Sequence, residues 1–504
     1  MDVNRMLALC GRCNFALVGI VAVYFFFWPV FVLQEELRDP ALESGGVPDF
    51  AYAWHQDLSV DFAVWARERV SSGAPTKLDI NDISGTEWPM FSAVYYLWAT
   101  EAIQAEWEQQ GGIAELASPP NVYAREAIEA AAALITDQQN ASWVIRHWGV
   151  DYLERENLFY RMLLIAGLSS YQKLTENNQY AELLVDQANK LAEELDASPY
   201  GLLDDYPGQC YPVDVLPAIA VINRAGEIIS EDFQPFVKRS IRGFSGSRLD
   251  PETGLPAYIA DRNSGVGYGP ARGVGISYML IWAPELWPTV ADSWYARYEQ
   301  HFWQHGWFIA GVREFSKNRS YPDWTIDVDA GPVINGLGTA ASAFGIAAAR
   351  ANGRLDHAYP LSMQAVVSTW PLPNGTRLLP RLLSNLSDAP YLGETALLFV
   401  LTRGLAHQTT IVDATDQVPV YVYAFLLFYL LTGVGLVWGA YSRFGKTALG
   451  QGVYRPARTV RQVVVWCLAA IVAISSILLG EYLVTSIAFL LMLQLPRGSH
   501  LAHG

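Results

Sequence analysis

Three apolar runs near the two ends of the chain constrain its fold more than any other feature. Phe15 to Leu33 carries no charge, Val418 to Trp438 is a second uncharged run, and Val463 to Leu495 is a third, interrupted by Glu481 beside Gly480. About 20 consecutive apolar residues cross a bilayer core, and in lipid a helix satisfies its own backbone. The first two runs therefore read as transmembrane helices. In the third, Val463–Leu479 is barely long enough and Leu483–Leu495 is too short, so one tilted helix and a helix with a re-entrant piece both fit. Glu481 is expected at the headgroup level. No small-residue cleavage site follows the first run; Gln34, Glu35 and Glu36 come next, so a retained anchor is expected rather than a signal peptide.

Basic flanks set the orientation. Arg5 and Arg12 precede the first run. Arg443, Lys446, Arg455, Arg458 and Arg461 lie between the second and third, with no Asp or Glu from Tyr441 to Gln462. The expected order is a cytoplasmic N-terminus and first span (1–34), an extracytoplasmic domain (35–417), a second span (418–440), a basic cytoplasmic loop (441–462), a third span (463–495) and a tail (496–504). A net charge of −16 argues against nucleic acid, since holding phosphate needs a basic face. Cys10, Cys13 and Cys467 fall in membrane-associated segments and leave Cys210 without an exterior partner, so no disulfide framework is expected. Cys10-Gly-Arg-Cys13 is a lone CxxC. No HExxH, clustered Cys/His spacing, Walker loop or strand-borne Rossmann glycine motif stands in the exterior region, so neither metal nor cofactor is expected.

Between Pro48 and Leu405 the apolar spacing is almost wholly helical. Helices are expected over Phe50–Val70, Glu87–Trp107, Val122–Thr136, Tyr152–Leu174, Tyr180–Leu195, Val213–Asn223, Ile229–Ile241, Val274–Trp282, Pro288–Phe308, Pro332–Ala351, Leu355–Ser368 and Leu392–Leu405. Connector length alternates. Thr175–Gln179, Arg224–Glu227, Ala283–Trp287 and Ala351–Arg354 are short. Ser71–Thr86, Gln138–Val150, Ser198–Pro212, Gly243–Gly273, Gly311–Gly331 and Thr369–Gly393 are long. Helical hairpins joined this way suit an all-α (α/α)6 barrel, a toroid with its long loops on one face above a funnel, with a helical solenoid as the alternative. Functional residues concentrate in such loops.

Ser198–Asp214, SPYGLLDDYPGQCYPVD, is the loop richest in chemistry. Adjacent Asp204 and Asp205 suit a general acid and base, because neighbouring carboxylates push their pKa values apart; a solvated turn is the plain alternative. Cys210 reads as a nucleophile, a proton donor or a buried small apolar residue. Tyr211 and His147 are further proton-relay candidates. Tyr206, Trp148, Tyr258, Tyr268, Trp324, Glu156, Asp329, Glu87 and Trp88 are candidate substrate contacts, aromatic surfaces and carboxylates suited to a partly apolar organic molecule. Glu154, Glu156, Asp327 and Asp329 are also placed to favour helix N-termini.

The run Leu153-Glu-Arg-Glu-Asn-Leu-Phe-Tyr160, with Tyr171-Gln-Lys-Leu174, Tyr180, Pro199-Tyr-Gly-Leu-Leu203 and Gln209-Cys210, resembles the core of the linalool dehydratase/isomerase family. Asp250-Pro-Glu-Thr-Gly254, Ser277–Trp282 and Gly331–Arg350 follow in the family's order, so the resemblance covers roughly Glu87 to Gly404. It implies an (α/α)6 barrel that dehydrates and isomerises a tertiary terpene alcohol without a cofactor. The family's histidine falls near Leu163. Of its two loop cysteines, one corresponds to the Asp204–Asp205 region and the other to Cys210 or Tyr211. The expectation is a membrane-anchored lyase or isomerase acting on a small hydrophobic alcohol, with Asp204 or Asp205 as acid and Cys210, Tyr211 or His147 relaying the second proton. A carbohydrate-active toroid working on envelope glycans and a non-catalytic binding module are the alternatives, and a homo-oligomer is left open.

Overall fold

A computed structural model describes residues 3–112, 118–385, 387–406, 409–414, 417–448, 464–473 and 490–494. It divides into two compact units, Leu33–Tyr423 and Met1–Val32 with Ala424–Gly504.

The larger unit is built on twelve helices: α1 Asp49–Ser72, α2 Trp88–Gln109, α3 Arg125–Thr136, α4 Leu158–Thr175, α5 Ala181–Ala197, α6 Pro212–Ile229, α7 Gln234–Ser240, α8 Gly273–Leu286, α9 Pro288–His301, α10 Thr339–Ala351, α11 Leu355–Ser368 and α12 Leu392–Thr402. They fall into two kinds. Even-numbered helices are buried on nearly every side: in α8 only Glu285 escapes burial. Odd-numbered helices bury one stripe: α5 covers Leu184, Gln187, Ala188, Leu191, Ala192 and Leu195, the i, i+3, i+4, i+7 spacing of an amphipathic helix. Successive even helices are neighbours, α2 with α4, α4 with α6, α6 with α8, α8 with α10, α10 with α12, and α12 again with α2. Odd helices pack against these from α3 on α4 to α11 on α10.

The protein is mostly helical, 67% helix against 7% strand, so the strands decorate loops rather than form a core sheet. They pair as β1 (Ile259–Asp261) with β2 (Val266–Tyr268), β3 (Trp303–His305) with β4 (Ala310–Val312), and β5 (Trp324–Asp327) with β6 (Gly331–Ile334) and β7 (Leu337–Gly338). These hairpins revise the sequence reading. The helix expected from Pro332 begins at Thr339, because Asn335 and Gly336 both take positive φ and turn β6 back as β7. Asp327 and Asp329 therefore flank a hairpin turn, not a helix N-terminus. Glu154 closes a single 3-10 turn and Glu156 precedes α4 rather than opening it. Arg224–Glu227 is no connector: α6 runs through it to Ile229, and the following helix shrinks to α7. Gln138–Val150 and Thr369–Gly393 each hold a short helix, Ser142–Trp148 and Leu378–Ser384. Long connectors nonetheless precede the even helices and short ones mostly follow them, residues 110–124 being the exception.

In the smaller unit, helix Val3–Ala22 passes through a π turn at Val23–Phe27, and helix Val420–Ala448 continues from the larger unit. Ala8–Glu36, 29 residues, and Val420–Phe444, 25 residues, are long and apolar enough to cross a membrane. Buried Asn14 is satisfied within this unit by the Trp466 Nε1–H donor at 2.7 Å and the Met492 carbonyl at 3.0 Å. Of the third run only Val464–Ala473 and 490–494 are described. Glu481, most of the basic 441–462 loop and the tail lie outside the described residues.

Candidate acid site at the long-loop ends of the even helices

A tight turn organises the site. Asp205 and Tyr206 N–H both donate to the Gln209 carbonyl, at 2.8 and 3.3 Å, and Gln209 N–H returns to Tyr206 O at 2.8 Å. Gly208 supplies the positive φ that this reversal needs. Ala260 N–H donates to Cys210 O at 3.0 Å, pinning the loop to β1. The turn sends the two aspartates of the pair to different tasks. Asp204 Oδ2 accepts from Gly208 N–H at 2.9 Å, its own N–H donates to Glu156 Oε2 at 2.9 Å, and Arg262 lies 3.8 Å from its carboxylate while pairing with Glu156. Asp204 shapes the turn. Asp205 is buried, and its Oδ2 accepts Tyr211 N–H at 2.7 Å. Among the described residues its Oδ1 has no hydrogen-bond partner.

Glu87, Asp205 and Asp214 are held toward their neutral form, and burial raises Asp204 as well. Burial raises Glu87 from 4.5 to about 7; the Asp329 charge adds to this, and the hydroxyl that Tyr206 donates to Glu87 opposes it. Burial, then the charge of Asp214, lifts Asp205 well above the carboxylate range. Asp214, in the first turn of α6, is raised likewise by burial and by the charges of Glu87 and Asp329. Like charges out of water cannot all ionise, so protons are stored among them.

Aromatic rings adjoin Glu87 through Tyr206. Phe91 stacks on Tyr95 at 5.4 Å and meets Phe159 at 5.3 Å. Tyr95 lies 6.0 Å from Phe344 and Tyr278 lies 5.1 Å from it, so α2, α8 and α10 share one wall. Burial raises the phenols of both tyrosines, with Tyr278 and then Asp214 adding to it at Tyr95 and Asp214 adding to it at Tyr278. Tyr206 sits among Phe159 (6.4 Å), Trp143 (6.2 Å) and His147 (5.1 Å).

An ionic group adjoins Tyr211 through Tyr258. Arg272 lies 4.6 Å above the Tyr258 ring, and its guanidinium donates to Glu314 Oε1 at 2.6 Å and Asp327 Oδ1 at 2.8 Å. Tyr258 OH donates to Asp329 Oδ2 at 2.8 Å. Gly273 makes this possible: a Cβ there would stand 1.9 Å from the Arg313 carbonyl oxygen, where Gly273 N–H now donates to Glu314 O at 2.8 Å.

The residues named from the sequence are thus distributed unevenly. Glu87, Asp205, Tyr206, Tyr211, Tyr258 and Asp329 share one neighbourhood. His147 touches Tyr206 edge-on, and burial followed by Arg146 lowers its pKa, which favours the neutral ring. Cys210 is fully buried, and burial and the Asp205 charge push its thiol far up, which favours the neutral thiol. Tyr211 rises to about 12, chiefly by burial. Trp88 opens α2 and Trp148 ends its short helix, both half-buried. Tyr268 and Trp324 lie on β2 and β5 and are 49% and 69% exposed, rim and outer surface rather than interior. Sequence reasoning missed Asp214, Arg272, Tyr95 and Tyr278 and left Glu314 unassigned. The signal for Asp214 was its place just after Pro212, in the first turn of the helix that the richest loop feeds. His301 and His305 are four residues apart, but one ends α9 and the other ends β3, so they share no helix face. Among the described residues no His, Cys, Asp and Glu group has metal-holding geometry. No family model matches this chain, and neither does any curated protein sequence.

Proposed function

We propose that the protein is a membrane-anchored, cofactor-free acid–base lyase or isomerase of the linalool dehydratase/isomerase type, acting on an apolar alcohol. The scaffold in this reading is an (α/α)6 toroid, with even helices inside and odd helices outside. Its support is the neighbour circuit from α2 through α12 back to α2. The observation that carries the chemistry is the set Glu87, Asp205 and Asp214, raised together beside a wall of aromatic rings.

A dehydration needs an acid for a poor leaving group and a base for a carbon-bound proton. Asp214, its pKa lifted by burial and by Glu87, protonates the substrate hydroxyl, and the carbon–oxygen bond breaks to release water. The faces of Tyr95, Tyr278 and Phe344 stabilise the cation that develops. Glu87, poised near neutrality and oriented by Tyr206, removes a proton from the adjacent carbon, and that electron pair becomes the alkene. Proton return from Glu87 to Asp214 resets the pair. If the cation is allylic, the released water instead adds at its other end and returns a proton to Asp214, which gives the isomeric alcohol. The extracytoplasmic placing of the domain rests on Arg5, Arg12 and the basic run from Arg443 to Arg461.

Full-length protein in lipid nanodiscs, incubated with a panel of terpene alcohols and followed by gas chromatography, tests this. Alkene formation that Asp214→Asn abolishes is the expected result. Absence of turnover across the panel, with cleavage of envelope glycans instead, replaces this reading by the carbohydrate-active one.

A further inference from the structure

The loop between α9 and α10 has no Asp, Glu, Lys or Arg from Trp303 to Val312, and its hairpin tip presents Trp307 at 81% exposure beside exposed Phe308. That tip is tied by its backbone to an apolar helix. Val420 N–H donates to Trp307 O at 3.4 Å and Tyr421 N–H donates to Phe308 O at 2.8 Å, and these are the first two residues of helix Val420–Ala448. The other long apolar helix ends at Glu36, whose carboxylate is gripped in a buried pair by Arg377 at 2.6 and 2.8 Å. Arg377 immediately precedes the helix Leu378–Ser384, which exposes Leu382 and Leu383. Ser368 and Thr369, at the end of α11, touch both attachments: Ser368 Oγ lies 3.0 Å from Tyr421 OH, and Arg377 donates to Thr369 Oγ1 at 3.4 Å.

The same long loop holds a second apolar face. Cross-strand partners Trp324 and Ile334, and Ile326 and Pro332, line one side of the β5–β6 hairpin, with Ile326 87% exposed, while Val333 on the other side is buried. Asp327 and Asp329, which would make this hairpin polar, are engaged by Arg272. The Arg313–Leu337 bridge joins β4 to β7 and so links the two hairpins.

We propose that Trp307, Phe308, Leu382, Leu383, Trp324 and Ile326 form a bilayer-contacting surface, with the aromatic rings at the boundary between headgroups and acyl chains. Two arguments select lipid as the occupant. The tip is held to the first turn of a helix long and apolar enough to span, so it lies where that helix meets the membrane. Tryptophan and other aromatic rings favour that interface, and an apolar patch of this kind needs a cover. The surface stands whether or not the acid–base reading of the site does.

The test uses full-length protein in phosphatidylcholine nanodiscs, with exposed Cys13 and Cys467 changed to Ser and one nitroxide placed by Trp307→Cys, Ile326→Cys or Leu383→Cys. Val122→Cys, at the exposed residue of the short helix Pro120–Tyr123, is the aqueous reference. Collisions with dissolved oxygen and with a water-soluble nickel chelate are compared. A severalfold higher oxygen-to-nickel ratio at the three sites than at Val122 is expected. A ratio equal to that at Val122 overturns the proposal. Poor access to both probes, with spin–spin broadening, also overturns it and identifies a second copy as the cover.

Discussion

Two glutamates at α2 meet opposite fates, Glu101 buried within the helix and Glu87 at its N-cap. Glu101 faces cations: its carboxylate accepts from Lys173 Nζ at 2.7 Å, Arg224 Nη2 at 3.0 Å and Ser170 Oγ at 2.8 Å. Burial alone would raise its pKa, but Arg224 and Lys173 outweigh burial and lower it from 4.5 to about 2. Glu87, at the other end, has a phenol for a partner and carboxylates for neighbours, and it rises to about 7. One buried charge is compensated and holds helices together. The other is left uncompensated, which is what a proton-transfer group needs. Around Glu101 the pattern continues, with Arg403 paired to Glu285 and lying 4.8 Å over the Trp282 ring.

Glu87→Gln has the largest expected effect. On the proposed mechanism it removes the base while leaving the helix end uncharged, so turnover of a terpene alcohol that the wild type converts falls by about 10²–10⁴-fold, with no loss of thermal stability. A variant that stays active, or that unfolds, breaks the contrast. Glu101→Gln is the mirror experiment. Leaving Arg224 and Lys173 without their charge partner costs about 3 kcal/mol in denaturant unfolding, while turnover per folded molecule is retained.

The pH dependence separates the two groups by sign. Glu101 has a folded pKa below its ordinary 4.5, so its stabilisation is present above 4.5 and is lost as pH falls toward 2. Glu87 has a folded pKa above 4.5, so the folded state binds the extra proton and stability declines as pH rises from 4.5 through 7. Glu314, raised to about 7 by burial against the pull of Arg272, slopes the same way. The difference between wild type and Glu87→Gln, measured by unfolding at a series of pH values, isolates the Glu87 share. Identical slopes in the two proteins would remove Glu87 from the account.

The smallest effect is the sharpest probe. Tyr206→Phe deletes the hydroxyl that holds the Glu87 pKa down. The acidic limb of the kcat/KM profile is therefore expected to move to higher pH, and the plateau to fall about tenfold, the order of one hydrogen bond to a charged group. An unmoved limb means that Tyr206 only packs.

Much of this was legible in the residues. The 3.6 period located most helices, and Leu355–Ser368 falls where the pattern placed it. Unequal connectors marked the helix ends where Glu87, Asp205 and Asp214 lie, and the Asp204–Tyr211 stretch was recognisable from its turn residues and acids. Hairpins hid because β5 to β7 are only two to four residues long, too short for a period to register. Local pattern alone determined that Glu87–Trp107 is helical and that Glu87 and Glu101 both fall on it. Which glutamate keeps its proton was decided only by tertiary structure. Lys173 and Arg224 reach Glu101 from 72 and 123 residues away, and Tyr206 reaches Glu87 across 119. A pKa in a dry interior follows the charges within a few ångströms, and chain order does not say which those are.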